Sequence, residues 1–176
     1  GRALRRSIAA GAMRWLVARD VCAWRRYLPV LAALAVPVYL AGLIIANSLA
    51  QPRWRTPEQA IAALDTRLLL PFWSHYIVSK AQAFKSIAVH LAMYAPVGAI
   101  IWAWRGPGRG PTALAGGVAF VLAMAVEIGR ALVPGLSPDF NNAPIAALAA
   151  AVAVAGSRVL WAMLESLPAR QSGLRH

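Results

Sequence analysis

A chain of 176 residues with 60% hydrophobic and 14% charged side chains and a mean hydropathy of +0.58 carries more apolar surface than a soluble domain of this size can bury within itself. Its net charge of +12 would point to nucleic acid in a soluble protein, but the arginines flank long apolar blocks and no nucleic-acid-binding motif accompanies them. The single cysteine, Cys22, excludes an internal disulfide and a cysteine-based metal site and reads as a structural thiol. The expected class is an all-α integral membrane bundle of about four transmembrane helices, with no soluble catalytic domain, metal or cofactor.

Residues 1–27 open with Gly1 rather than Met, as a processed product or a piece of a longer protein would. Their arginines spread around a helical wheel without a clean apolar face, which predicts a basic juxtamembrane segment resting on anionic lipid. Leu28 to Ala50 is uncharged and long enough to cross about 30 Å of hydrocarbon despite Pro29 and Pro37. Ser48 and Ala50 resemble the small residues ahead of a signal-peptidase site, yet so long an apolar run behind a basic leader favours an uncleaved anchor. Residues 51–85 form an outer loop. Within it LLLPFWSHYIVS (68–79) is too short to span, and its Trp73 and Tyr76 predict an interfacial or re-entrant segment, with His75 merely interfacial.

Ser86 to Trp104 is the second span, ended by the RGPGRGP turn, and Thr112 to Val133 is the third. After the turn through Pro134, Gly135, Ser137 and Pro138, Asn142 can cap a fourth helix that tolerates Pro144 in its first turn and runs to about Leu164. Residues 165–176 form a tail. Alanines from Ala143 to Ala155, with Gly156 and Ser157, let neighbouring helices approach closely and predict that the fourth helix packs in the bundle interior.

Charge sets the orientation. The N-terminal segment, the second-to-third loop and the C-terminal end hold 7, 2 and 3 Lys/Arg, against 6 on the other side (Arg53, Arg55, Arg67, Lys80, Lys85 and Arg130). The positive-inside rule therefore places both termini in the cytoplasm. Trp24, Tyr27, Trp102, Trp104 and Trp161 fall at the cytoplasmic ends, and Trp54, Trp73 and Tyr76 near the outer ends, as interfacial belts require.

Intramembrane charges are costly and default to function. Glu127 and Arg130 stand three residues apart on one helical face, where they can pair. The antiparallel order brings His90, Tyr94, Glu127, Arg130, Asp139, Asn141 and Asn142 to one outward-facing polar site. Its plain alternative is structural, with Glu127 and Arg130 neutralising each other and Asp139 and the asparagines capping helices. A lone membrane histidine is likewise more often an interhelical hydrogen bonder than a catalyst. No HExxH, GxSxG or Walker loop is present, and Cys22 lies on the opposite side. The candidate catalytic pair is Glu127 with His90, a carboxylate and an imidazole that low dielectric can tune toward neutrality.

From His90 onward the chain resembles the VanZ-like family of small membrane proteins, named after an accessory protein of glycopeptide resistance. His90, Tyr94, Pro96 and Gly98 stand where that family carries an Asn, an aromatic, a Pro and a Gly. Glu127, Arg130, Pro134, Gly135, Leu136, Asp139, Asn142 and the alanine run follow the family's Glu-x-x-Gln, Pro-Gly-Arg, Asp and Asn order, with Arg130 in place of Gln and Leu136 in place of the turn Arg. The resemblance covers 86–156 and implies an accessory protein of the bacterial cell envelope in the cytoplasmic membrane. Its polar cluster would bind a lipid-linked glycan, a peptidoglycan precursor or a glycopeptide. Alternatives are a membrane-embedded enzyme acting on a lipid-linked substrate, or a small transporter or assembly scaffold with partner membrane proteins or copies of itself.

Overall fold

The computed structural model describes residues 25–64, 79–106 and 111–172, with side chains described through 164. Residues 1–24 of the N-terminal basic segment, with Cys22, the interfacial segment up to residue 78, with His75, and the centre of the RGPGRGP turn lie outside the described residues. Among the described residues the chain is all helical. Its elements are α1 (Leu28–Ala46), α2 (Pro57–Ala62), α3 (Lys80–Arg105), α4 (Pro111–Leu132) and α5 (Asn142–Ser172).

Four of these helices are long and apolar enough to cross a membrane, over Leu28–Ala46, Lys80–Arg105, Pro111–Leu132 and Asn142–Leu164. The shortest has 19 residues, which at about 1.5 Å per residue spans about 28 Å and matches a hydrocarbon layer of about 30 Å. The protein is a multi-pass membrane protein.

Helix ends follow from local chemistry. Prolines stand at the first turn of α1 and α2 and open α4, where the missing N–H would be unbonded anyway. α1 stops at Ala46, four residues before the apolar run does, because Asn47 turns its amide back onto the Leu43 carbonyl at 2.9 Å and Ser48 takes a left-handed φ of 55°. α3 starts six residues before the apolar run, at Lys80, since Ser79 caps it by accepting from the Gln82 N–H. Polar first turns of α3 thus project beyond the apolar layer. At the far end, the α5 helix continues past Leu164 to Ser172, so much of the C-terminal tail is helical.

α2, absent from the sequence expectation, is held by a capping box in which Thr56 and Gln59 exchange hydrogen bonds between side chain and backbone at 3.0 and 3.3 Å. Thr56→Ala is expected to cost this six-residue helix about 1 kcal/mol. Faster amide hydrogen exchange at Gln59 and Ala60, with unchanged exchange in α3 to α5, would show the effect to be local.

α3 packs against all three other spans, α5 packs closely against α3 and α4, and α1 leans on α3. The alanine-rich sequence explains the close packing of α5. Ala143, Ala146, Ala150 and Val154 of α5 are fully buried, and in α4 every fourth residue from Pro111 through Ala115, Ala119, Ala123 and Glu127 to Ala131 is buried. Rows four residues apart form a ridge along one helix face. Built of methyl groups, that ridge brings the α4 backbone close to α5. α3 meets α5 at Gly98, where an added Cβ would lie 2.1 Å from the Ala150 carbonyl oxygen. In contrast α1, the most apolar span with mean hydropathy 2.4, buries only Ala32 and Leu43. Its exposed Val30, Leu31, Leu34, Val38 and Ile45 present a lipid-facing surface.

Candidate functional site

The polar site is built where α4 ends and α5 begins. Glu127 occupies the buried four-residue row of α4, which aims it at α5, and it is only 1% exposed. Its two oxygens are each engaged. Oε2 accepts from the backbone N–H of Asp139 at 2.7 Å, and Oε1 accepts from the Asn142 side-chain amide at 2.7 Å. Both distances are in the short range of charge-assisted hydrogen bonds. A single carboxylate therefore staples the end of α4 to the connecting turn and to the first residue of α5.

Arg130, one helical turn on, approaches the same Oε1 at 3.6 Å. That is an ion-pair contact without hydrogen-bond geometry. Its side chain remains 26% exposed, so the guanidinium faces outward from a carboxylate that faces inward. Asp139 Oδ1 accepts both the Asn141 N–H at 3.1 Å and the Asn141 side-chain amide at 3.0 Å, closing an Asx-type turn. The Asn142 backbone N–H in turn donates to the Asp139 carbonyl at 3.0 Å.

Five of the residues expected at the site, Glu127, Arg130, Asp139, Asn141 and Asn142, thus come together in one bonded cluster. One expected role changes. Asn142 does not cap α5, because its side chain donates to Glu127, while its Oδ1 is buried with no hydrogen-bond partner among the described residues. The side-chain amide is drawn away from the helix end by the carboxyl oxygen it donates to at 2.7 Å.

The α3 residues stand at different distances from the cluster. Tyr94 is 1% exposed and lies within Coulombic reach of Glu127, Arg130 and the α1 residue Tyr39. His90, one turn toward the helix start, is half-buried and directs Nδ1 to the Ser86 carbonyl of its own helix at 2.8 Å. No hydrogen bond or ion pair joins it to Glu127. The acid/base pair considered from sequence is therefore not assembled as a hydrogen-bonded dyad. Four-residue spacing does place His90, Tyr94 and Gly98 on one face of α3, but that face is used for packing at Tyr94 and Gly98.

Two neighbours were not anticipated. The Arg55 N–H donates to the Leu132 carbonyl at 2.6 Å, which brings the 51–56 segment against the end of α4, two residues from Arg130. Arg53 and Arg55 make no ion pair among the described residues. They had served only as charges to be counted for orientation, and the signal available was their position immediately after the first span. Around the described part of this end, Arg53, Arg55, Lys80, Lys85 and Arg130 face Glu58, Glu127 and Asp139. The balance is basic.

Tyr39 and Asn47 tie α1 into the same half of the bundle. The Tyr39 hydroxyl donates to the Met93 carbonyl at 3.1 Å, and the Asn47 amide approaches the Met93 sulfur at 3.4 Å. Chemically, the arrangement offers a fixed, buried carboxylate with both oxygens engaged, and a partly exposed cationic rim. It is suited to holding an anion at the rim rather than to moving a proton at the carboxylate. No family model, curated protein or solved structure matches the chain.

Proposed function

We propose that this chain is a VanZ-like accessory protein of the bacterial cytoplasmic membrane, with both termini in the cytoplasm. The polar end described above then faces outward and binds an anionic group of a lipid-linked glycan, a peptidoglycan precursor or a glycopeptide. The observation that carries this reading is the asymmetry of the Glu127 and Arg130 pair. Glu127 is buried and already accepts two hydrogen bonds, whereas Arg130 stays partly exposed with one 3.6 Å contact. A guanidinium so placed retains donors for a phosphate or carboxylate.

The neighbouring Arg53 and Arg55 add to the attraction, and the anionic pyrophosphate of a lipid-linked precursor would lie at the depth of this rim. The family resemblance over 86–156 supports the same end of the molecule through Tyr94, Glu127, Asp139 and Asn142, and rests on residue order alone. The His90 geometry gives no support to the enzymatic alternative.

Arg130→Ala is the test. The arginine contributes one long contact to the cluster, so the variant is expected to reach the membrane at wild-type abundance. Lipid-linked envelope intermediates and glycopeptide susceptibility would be compared in cells carrying either form at matched membrane levels. A shift of either readout toward that of cells lacking the protein is expected, and identical profiles at equal abundance would refute recognition at the rim.

A further inference from the structure

At the opposite end of the bundle from Glu127, α1 and α3, joined at one point by Trp161 of α5, border two adjoining open pockets. One, about 180 Å³, is lined by Arg25, Leu28, Pro29, Trp102, Arg105 and Trp161 among others. The second, about 300 Å³, is a wholly aliphatic and aromatic groove formed by Ala32, Ala33, Val36, Ile100 and Trp104. Trp104 borders both. A cationic pocket therefore continues along one side chain into an apolar groove.

The dimensions fit one class of molecule. From Leu28, at the cationic pocket, to Val36, at the end of the groove, is eight residues of α1, or about 12 Å along the helix axis. That is close to the depth of one leaflet, half of a hydrocarbon layer of about 30 Å. Neither Arg25 nor Arg105 makes an ion pair among the described residues. Trp102 is 8% exposed and packs against Trp161 with ring centroids 5.6 Å apart and the planes tilted by 60°. It also carries a buried indole N–H with no acceptor among the described residues, a donor that an ester or phosphate oxygen could take with a small tilt of the ring.

We propose that this is a binding site for a single anionic phospholipid, with its phosphate between Arg25 and Arg105 and one acyl chain along Ala33, Val36 and Ile100. Charge complementarity selects an anionic headgroup over a zwitterionic one, and the apolar groove selects a lipid over a free anion. The site is separate from the polar cluster, and its occupancy does not depend on what that cluster recognises.

The test is native mass spectrometry of the full chain in detergent, titrated with phosphatidylglycerol or phosphatidylcholine of the same acyl length, and separately with inorganic phosphate. Two arginines near a membrane surface predict a preference for phosphatidylglycerol of roughly tenfold or more in the first bound lipid. The double variant Arg25→Gln/Arg105→Gln is expected to abolish that preference. Ala33→Leu, which fills the groove while keeping both charges, is expected to weaken both lipids about equally. Equal retention of the two lipids by the wild type would overturn the proposal, as would an unchanged preference in the double variant. Phosphate binding that matches phosphatidylglycerol would show an anion pocket without a lipid site and would overturn it too.

Discussion

Replacing Glu127 by alanine is expected to lower the stability of the bundle by about 3 kcal/mol, the low end of what breaking a buried charged cluster costs. Three partners lose their acceptor together: the Asp139 N–H, the Asn142 side-chain amide and the Arg130 guanidinium. Each unpaired buried donor costs about 1–3 kcal/mol. Arg130 adds less because it is partly exposed. A lone interhelical hydrogen bond in a membrane, such as that of Tyr39 to Met93, averages only about 0.6 kcal/mol, so Tyr39→Phe is the natural small-effect comparison. Trp fluorescence during unfolding in mixed micelles would measure both.

Glu127→Gln should cost far less, about 1 kcal/mol, for a reason specific to Asn142. The glutamine keeps one carbonyl oxygen for the Asp139 N–H and turns its amide toward Asn142. The Asn142 Oδ1, which has no partner among the described residues, can then accept from it once the asparagine amide rotates by half a turn. Alanine and glutamine falling equally would mean that the charge, and not the hydrogen-bond pattern, holds the cluster. A stable Glu127→Ala protein would remove the structural role altogether.

The four spans were legible because apolar blocks long enough to cross a membrane leave few other readings, and the close packing of α5 on α3 and α4 followed from its alanines, whereas the helix that touches all the other spans is α3. Helix ends were less visible. The expected starts and stops tracked the apolar runs, whereas Asn47 ends α1 inside its run and Ser79 begins α3 before its own. The Ser79 to Gln82 and Thr56 to Gln59 spacings were nevertheless present in the sequence as cap signals.

For the site, antiparallel order sufficed to gather Glu127, Arg130, Asp139, Asn141 and Asn142, because they lie within fifteen residues around one turn. His90 shows where that reasoning stops. Residues at similar depth on different helices meet only if the helices are rotated toward each other, and rotation is set by side-chain packing that depth does not encode. The same rotation hid the Tyr39 and Asn47 contacts to Met93. Loop proximity, here Arg55 against Leu132, was hidden for the equivalent reason.

Gly98→Ala is expected to be the most damaging single-methyl change in the protein. Its Cβ would stand 2.1 Å from the Ala150 carbonyl oxygen and 2.8 Å from the Ala153 Cβ. The first obstacle is backbone, so no side-chain rotation relieves it, and α3 and α5 would have to separate by about an ångström. Dispersion between packed surfaces falls steeply over such a gap. Overpacking of a tight core costs about 1–3 kcal/mol, and the upper end applies because this contact lies in the central interface of the bundle. Gly117, with nothing within 4 Å of its added Cβ, is the control, and Gly117→Ala should be neutral or slightly stabilising through helix propensity. A second-site Ala153→Gly change should recover only part of the Gly98→Ala loss, since it clears the 2.8 Å contact and leaves the carbonyl in place. Full recovery in the double variant would show that α3 and α5 are held apart by side chains. Partial recovery identifies backbone contact at Gly98 as what sets their spacing.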